Sequence, residues 1–440
     1  MALFRSGKKA EATADRFSSP DYKRSRCAYH MQTMFEHLVY LLATDVFLAK
    51  LLSSLGIEDA VVGVISSLIM LAYAFQILCI FLSRWQLNSK GISLVFCSLL
   101  SPLSFTFLYL IPFLSLKGIA LRVAVVCAVF GGHFFKYLVF SILYHWANAY
   151  VDPEKRAVFT TTREMIKLIC GIVFSAAIGW AFERLENAGK TKQAFFLIAA
   201  VSLFLAIAQF VCMLCIKGEP KKPVVQSHKS FSDIFRNTLG NRNFRPLLLL
   251  SALANMGNYF SLGFLGTFKT NDLLIPVFTV QIINIVADLL RVLISRPFGR
   301  FADRTSFARG YEVSRIIEGI AFLCVIFTTR STWFLMIPFA VCHAVASMGT
   351  GFALNLDYSY VDREYVTEAM AIRHFVGGVT GFGASLLAGK LLAYIQQNGN
   401  TLFGFPVYGQ QVLAFISLLI TLLAWLLTRL VIEKEPVNRI

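Results

Sequence analysis

Ionisable side chains recur inside long apolar runs of this 440-residue sequence. A charge at the centre of a bilayer costs about 2.5–3.5 kcal/mol on insertion scales, so it usually faces a protein interior or water. A buried carboxylate or a histidine can exchange a proton when its surroundings change, although each could instead form a static bond between helices. The proton-coupling candidates are Asp45, Glu164, Asp288, His37, His133 and His343. Asp45 is the first choice because its depth makes ionisation costly unless Lys136 or water compensates.

Polar and aromatic residues also follow helical spacing within these runs. Hydroxyl, amide and aromatic groups on shared helix faces suit stacking and hydrogen bonding to an organic solute. The substrate-cavity candidates are Tyr40, Thr44, Lys136, Tyr137, Tyr144, Asn255, Asn258, Tyr259, Gln281, Asn284 and Ser347.

The elements that carry these residues are membrane helices. The chain is 57% hydrophobic and 15% charged, whereas soluble proteins carry about 25% charged residues. A membrane helix needs about 20 mostly apolar residues. Twelve runs qualify: 30–52, 59–82, 91–113, 118–146, 157–184, 193–216, 245–267, 273–297, 310–329, 332–355, 367–395 and 408–432.

Basic residues are distributed unequally between the two sets of loops. With the N-terminus inside, the inner segments hold 26 Lys and Arg residues, and the outer loops, which include Lys269, hold five. Cytoplasmic loops collect such residues, so both termini are predicted to be cytoplasmic. The net charge of +16 therefore reflects topology and affinity for anionic lipid headgroups, with no nucleic-acid partner.

The sequence repeats at a shift of 210 residues. This shift aligns Arg163 with Arg373 and Gly171 with Gly381, and it gives two halves of six helices with the same orientation. Small residues on helices 5 and 11 allow close backbone packing. The predicted domains are an N-terminal tail (1–29), a six-helix bundle (30–216), a cytoplasmic loop (217–244), a second six-helix bundle (245–432) and a C-terminal tail (433–440).

A charged motif lies between helices 8 and 9. It resembles the major facilitator superfamily gating motif Gly-x-x-x-Asp-Arg-x-Gly-x-Arg-Arg, with departures at Ser306 and Ala308. The Gly is expected to form a tight turn, and the carboxylate to tie helices together through charge-assisted bonds. On helix 9, Glu312, Arg315 and Glu318 are spaced for local pairing. The gating candidates are Gly299, Asp303, Arg304, Arg309, Arg163 and Arg373.

The resemblance to the major facilitator superfamily implies an all-α integral membrane fold of 12 transmembrane helices in two pseudo-symmetric six-helix bundles. The candidate faces would then line a central cavity. We expect a secondary active transporter that works by alternating access in the plasma membrane, functional as a monomer, with proton- or cation-coupled symport of a small polar solute such as a sugar or glycoside. The alternatives are efflux of amphipathic drugs or metabolites by proton antiport, transport of an organic anion, and a membrane solute sensor.

An enzyme is not expected from this sequence. It contains neither a phosphate-binding Gly-x-x-x-x-Gly-Lys-Ser/Thr loop nor a His-Glu-x-x-His metal motif. The nine cysteines are scattered through apolar runs and are interpreted as small hydrophobic residues. We therefore expect no cofactor and no metal.

Overall fold

A computed structural model describes residues 17, 19–78, 92–148, 150–152, 156–217, 236, 240, 244–360, 366–402 and 404–432. Most of the predicted N-terminal tail and of the central loop 217–244, and all of the predicted tail 433–440, lie outside these residues. So does nearly all of the loop after helix 2.

The described first part of the chain is helical. Its α-helices are α1 (Pro20–Leu42), α2 (Asp45–Ser54), α3 (Asp59–Ser66), α4 (Leu68–Ala74), α5 (Ile92–Leu110), α6 (Gly118–Asn148), α7 (Arg156–Asn187) and α8 (Thr191–Leu214). Short 3-10 turns follow α4 at Phe75–Ile77 and α5 at Ile111–Phe113.

The second part is helical except for one small hairpin. Its α-helices are α9 (Arg245–Tyr259), α10 (Leu265–Thr267), α11 (Val277–Arg304), α12 (Phe307–Ile326), α13 (Met336–Ala346), α14 (Gly349–Tyr360), α15 (Val366–Gln397) and α16 (Gly409–Leu430). A 3-10 turn (Leu262–Phe264) precedes α10, a π-helical turn (Phe268–Asp272) follows it, and a further 3-10 turn (Trp333–Leu335) precedes α13. The antiparallel strands β1 (Thr401–Leu402) and β2 (Phe405–Pro406) lie between α15 and α16.

Local sequence signals set several helix boundaries. The Ser19 side chain accepts a hydrogen bond from the backbone of Tyr22, and Pro20 occupies the first turn, so α1 begins well before the predicted position 30. Ser306 caps α12 by accepting from the backbone N–H of Arg309 at 3.1 Å. The departure from the family motif at position 306 therefore has a local structural role.

Helices lie at all twelve predicted positions, some of them broken. Among the described residues, ten helices are long and apolar enough to cross a membrane. The first predicted span is not among them because it is split between α1 and α2 and its α1 part is polar on average. Helix α12 is not among them because charged residues interrupt its apolar run. The count of twelve stays a prediction.

By its packing the chain divides into two compact units, and unit 1 comprises residues 1–43 and 78–226. Its described helices are α1 and α5–α8. Tyr29, Val139, Phe159 and Met213, from four of these helices, share one apolar core.

Unit 2 comprises residues 44–77 and 227–440. It therefore combines α2–α4 with the described helices after residue 244. A core at one end joins Ala60 on α3 to Phe264, Ala388 on α15 and Leu413 on α16. The eleventh predicted span corresponds to α15, and the close packing predicted for its small residues is present. A Cβ at Gly389 would lie 2.7 Å from the Val64 side chain.

Candidate functional site

The first predicted span is broken where its deepest carboxylate lies. Helix α1 ends at Leu42 and α2 begins at Asp45, with the boundary between the two units at residues 43 and 44. Asp45 has a φ of 49°, in the left-handed region. Asp adopts this region more readily than most residues other than glycine, and such outliers concentrate at functional sites. The sequence at this break therefore presents a carboxylate at the end of a helix segment.

Asp45 is the centre of a three-residue group within unit 2. Lys269 Nζ lies 2.9 Å from Asp45 Oδ1 and 3.0 Å from Oδ2. Asn284 on α11 donates from Nδ2 to Asp45 Oδ2 at 3.2 Å. The Lys269 side chain is 10% exposed and that of Asp45 is 32% exposed, so the carboxylate is the more accessible partner. We call Asp45, Lys269 and Asn284 the Asp45 cluster.

Lys269 is not the loop residue that the sequence predicted. It lies in the π-helical turn Phe268–Asp272 and is buried. π-Helical turns are rare and occur frequently at functional sites. The seventh predicted span continues past its predicted end at 267, because the backbone of residues 268–272 stays helical through the polar sequence Lys-Thr-Asn-Asp.

Lys136 packs against an aromatic ring. It lies in unit 1 on α6, with Nζ 3.8 Å from the centroid of the Tyr40 ring. An ammonium over an aromatic face is stabilised by the ring quadrupole. Within unit 2, Lys269 supplies a counter-charge for Asp45 that the sequence analysis did not name.

His133 belongs to the same part of unit 1 as Lys136 and Tyr40. It is 1% exposed, and its ring meets the rings of Tyr40 and Phe105 edge-on, with centroids 6.0 and 5.0 Å apart. Its Nδ1 is buried and makes no hydrogen bond to any described residue. Tyr137 is half-buried, and the Tyr144 side chain lies outside the described residues. We call Tyr40, His133 and Lys136 the Lys136 cluster.

His37 is packed against α7 in unit 1. A Cβ at Gly171 would lie 3.2 Å from His37 Nε2. The glycine therefore allows the imidazole to approach the backbone of α7. This agrees with the close packing predicted for the small residues of the fifth span, which corresponds to α7.

Two other candidate carboxylates form local pairs. Glu164 lies 2.8 Å from Arg163 and 2.9 Å from Lys167, and its side chain is 51% exposed. Asp288 lies 3.0 Å from Arg291, one turn along α11, and both side chains are 38% exposed. Exposed pairs of this kind contribute little to stability. Neither carboxylate is paired with another coupling candidate in the described part of the chain.

His343 has a partner that the sequence analysis assigned differently. Its Nδ1 lies 2.8 Å from Oε1 of Glu318 on α12, whose side chain is 1% exposed. Glu318 was expected to pair along its own helix with Arg315, but the Arg315 guanidinium lies over the Tyr311 ring, 4.9 Å from its centroid. The acid and base are therefore joined between neighbouring helices.

The candidate amides of unit 2 lie in different environments. Asn255 donates from Nδ2 to the carbonyl of Ser251, one turn back along α9, at 2.8 Å. Gln281 is buried, and the buried Oδ1 of Asn258 makes no hydrogen bond to a described residue. Among these amides, Asn284 is the one bonded to a coupling candidate within the described residues.

The remaining cavity candidates of unit 2 carry hydroxyl groups. Thr44 and Tyr259 are half-buried. Ser347 is exposed and donates to the carbonyl of Ala344 at 2.6 Å. Their assignment to a substrate cavity stays a prediction.

The expectation of a tight turn at Gly299 is wrong. Helix α11 continues through Pro297 to Arg304, and Gly299 lies within it. The helix ends at Arg304, and its C-cap Thr305 directly precedes Ser306, the N-cap of α12. Asp303, Arg304 and Arg309 are exposed, and they form no ion pair with the described residues. Their gating role stays a prediction.

Arg373, a predicted gating residue, pairs with a residue that the sequence analysis missed. Its Nε lies 2.9 Å from Oδ2 of Asp357, and their side chains are 9% and 0% exposed. The angle between the two groups does not meet that of a hydrogen bond, so the contact is an ion pair only. A cavity of about 10 Å³, roughly one water in size, adjoins both residues and Ser251. Asp357 lies just past the predicted end of its span at 355, which is why it was not considered.

Within the described part of the chain, no three His, Cys, Asp or Glu side chains are grouped so that they could hold a metal ion. The carboxylates of Asp45, Glu318 and Asp357 each lie instead beside a basic side chain.

A family model described as MFS/sugar transport protein matches residues 38–362. This range includes both the Asp45 cluster and the Lys136 cluster. A search of curated proteins gives no match.

Solved transporters share the fold. A mutant of the nucleoside transporter NupG is 14% identical, with a TM-score of 0.69 over 92% of this chain and 98% of that chain. A bacterial homologue of the lysosomal transporter Spinster is 16% identical, with a TM-score of 0.65 over 94% and 98%. An autoinhibited POT family peptide transporter is 13% identical, with a TM-score of 0.66 over 95% and 99%.

Proposed function

The chain belongs to the MFS/sugar transport protein family, and from this premise we propose that it moves a small polar organic solute by proton- or cation-coupled symport. The family is one of multi-pass membrane transporters. The described residues of this chain include ten helices of spanning length. A sugar or glycoside is the favoured solute because the family description names sugar transport. The likeness to the nucleoside transporter NupG agrees with a solute that contains a sugar.

The Asp45 cluster is the observation that supports coupling. The carboxylate holds the Lys269 ammonium at 2.9 Å while remaining 32% exposed itself. A proton or a small cation that neutralises Asp45 would weaken this charge-assisted bond and leave Lys269 without its anion. Ion sites of transporters commonly lie where membrane helices are interrupted, as the chain is at Asp45 and at the π-helical turn.

An ion gradient can supply the energy for this cycle. Each elementary charge that crosses a potential of 100 mV gains about 2.3 kcal/mol. Binding of the cation at Asp45 would therefore link that gain to a change in the packing of α2, the π-helical turn and α11. The same proposal includes the predicted location and orientation. The protein would act as a monomer in the plasma membrane, with both termini on the cytoplasmic side.

A second candidate is transport of an organic anion. The Lys136 ammonium lies on the face of the Tyr40 ring in unit 1, and such a cation can pair with a carboxylate or phosphate on a solute while the ring stacks against it. This candidate differs from the first only in the charge of the solute.

Uptake into proteoliposomes tests both candidates. Purified protein would be given labelled sugars, glycosides, nucleosides and organic anions, each with and without an inward proton or sodium gradient. We expect one polar solute class to accumulate above its outside concentration only when a gradient is imposed. Protein-free vesicles are the control. Accumulation of none of these solutes, with binding but no movement, would favour a sensor and contradict the proposal.

A further inference from the structure

The π-helical turn Phe268–Asp272 bonds to both ends of α2 within unit 2. At the first residue of α2, Lys269 pairs with Asp45. At the other end, Asn271 donates from Nδ2 to Ser53 Oγ at 3.0 Å and to Asp59 Oδ1, at the start of α3, at 2.8 Å. One turn of helix therefore holds two points on the segment 44–77.

Asn271 uses both donors of its side-chain amide. Both donors are directed to the segment 44–77, and its Oδ1 accepts from Thr270 Oγ1 at 3.1 Å. The second oxygen of Asp59 accepts from Gln396 Nε2 on α15 at 3.4 Å. Asp59 thus receives an amide donor on each oxygen, and it has no ion-pair partner among the described residues.

The π-helical turn is itself fixed to later helices. Asp272 Oδ2 accepts from Gln410 Nε2 on α16 at 2.9 Å, and the Asp272 carbonyl accepts from Arg330 Nε at 3.3 Å. Apolar packing around Ala60 and Phe264 lies next to these bonds. The turn therefore connects residues 44–77 to α16, which begins more than 300 residues later in the chain.

From these contacts we propose that the π-helical turn is a releasable clasp, in which Asn271 positions the α2–α3 junction and Lys269 carries the charge state of Asp45 to it. The clasp consists of Lys269, Asn271 and Asp272. The proposal rests on the proposed transport function for its purpose. Lys269 and Asn271 are two residues apart in one turn, so movement of Lys269 away from a neutralised Asp45 displaces the backbone that carries Asn271. Release of α2 and α3 is then the conformational step that the coupling ion controls.

The bonds of Asn271 can be removed without touching Asp45. In Asn271→Ala, Ser53 loses its amide donor and Asp59 loses one of its two donors. The buried side chains of Ile57 and Ala60 keep the junction folded. The matched control is Gln411→Ala. Gln411 also donates two hydrogen bonds, to the carbonyls of Ile326 and Thr328 at 2.9 Å each, but none to residues 44–77.

Hydrogen–deuterium exchange with mass spectrometry, in detergent and without any solute, measures release directly. The reporting amides are those of Gly56, Ile57, Val61 and Val62, which donate to backbone carbonyls at the junction. We expect Asn271→Ala to raise their exchange rate about tenfold, a factor that corresponds to about 1.4 kcal/mol. Gln411→Ala should raise exchange near the end of α12 and leave the junction at the wild-type rate.

A residue exchange separates positioning from general destabilisation. Asn271→Asp alone places a second carboxylate opposite that of Asp59 and should raise junction exchange beyond Asn271→Ala. The double variant Asp59→Asn with Asn271→Asp restores one amide and one carboxylate, so exchange should return to within about threefold of wild type, a factor of about 0.7 kcal/mol.

Three outcomes would overturn the clasp: unchanged junction exchange in Asn271→Ala, an equal rise in Gln411→Ala, or failure of the double variant to restore protection. Because no solute is needed, these outcomes are independent of the transport screen. A protein that carries no solute but responds as expected here would retain the clasp and lose the proposed function.

Discussion

Asp45 and Lys269 form an ion pair between two interrupted helices. Asp45 begins α2 in the left-handed conformation, and Lys269 lies in a π-helical turn 224 residues later. Both irregular segments bring a charge to a place where a continuous helix would present a different side chain. The pair is therefore a local property of unit 2 to which both helix breaks contribute.

Removing the cation of this pair should destabilise the protein. In Lys269→Met the Asp45 carboxylate keeps Asn284 but loses its counter-charge. We expect the free energy of unfolding to fall by about 1–3 kcal/mol. This is less than the roughly 3–5 kcal/mol lost when one partner of a fully buried pair is removed, because Asp45 is 32% exposed. Thermal melting in detergent measures the change.

The double variant Asp45→Asn with Lys269→Met is the check on that reasoning. It removes both charges, so its melting temperature should recover most of the loss. Equal melting temperatures for Lys269→Met and wild type would show that the pair contributes nothing to stability.

The contact between Gly63 and Phe264 predicts a second stability effect. A Cβ at Gly63 would overlap the Phe264 ring, whereas one at Gly383 on α15 would meet no atom within 4 Å. Gly63→Ala should lower the free energy of unfolding by about 1–3 kcal/mol through overpacking, as measured by thermal melting. Gly383→Ala should leave stability unchanged or raise it by about 0.5–1 kcal/mol. The same melting temperature for both variants would contradict close packing of α3.

Neutralising Asp357 should lower the free energy of unfolding much more than neutralising Asp288. Asp357→Asn leaves the buried Arg373 guanidinium without its counter-ion, at a cost of about 3–5 kcal/mol in unfolding free energy. Asp288→Asn opens a pair whose side chains are 38% exposed, and we expect a change of about 1 kcal/mol or less. Denaturation of both variants in the same detergent gives the comparison. A larger effect at Asp288 would contradict the burial described here.

Variants of Lys136 distinguish a neutral solute from an anionic one. For an organic anion, Lys136→Met should raise KM at least about tenfold, the equivalent of about 1.4 kcal/mol, while Lys136→Arg, which keeps the cation over the Tyr40 ring, should stay near wild type. For a neutral sugar, the two variants should have similar KM values. Initial uptake rates over a range of solute concentrations measure this. A raised KM for both variants would instead indicate that the shape of the ammonium matters.

Hydropathy and spacing predicted most helices, and they indicated that the Asp45 carboxylate needs a partner. The apolar runs at 193–216 and 408–432 correspond closely to α8 (Thr191–Leu214) and α16 (Gly409–Leu430), because about 20 apolar residues have few alternatives to a membrane helix. Asp45 was identified because a carboxylate at that depth needs a partner.

The partners themselves were not predictable from the sequence. Lys269 follows an apolar run, so hydropathy assigns it to a loop. Hydropathy alone cannot distinguish a buried polar helical turn from a loop exposed to water. A run of four polar residues immediately after a span was the available signal. Asp357 was missed for a similar reason, since it lies just outside an apolar window. Gly299 was misassigned because it lies just outside the predicted span 273–297, yet α11 continues to Arg304.

Gradient-driven accumulation and solute exchange, measured side by side in proteoliposomes, test most directly whether Asp45 couples a cation to the solute. In Asp45→Asn we predict that exchange of labelled for unlabelled solute persists, because it requires no net ion movement, while accumulation driven by the ion gradient is abolished. Glu58→Gln, which neutralises an exposed carboxylate without a capping bond, should retain both. Full gradient-driven accumulation by Asp45→Asn would contradict the role assigned to the Asp45 cluster.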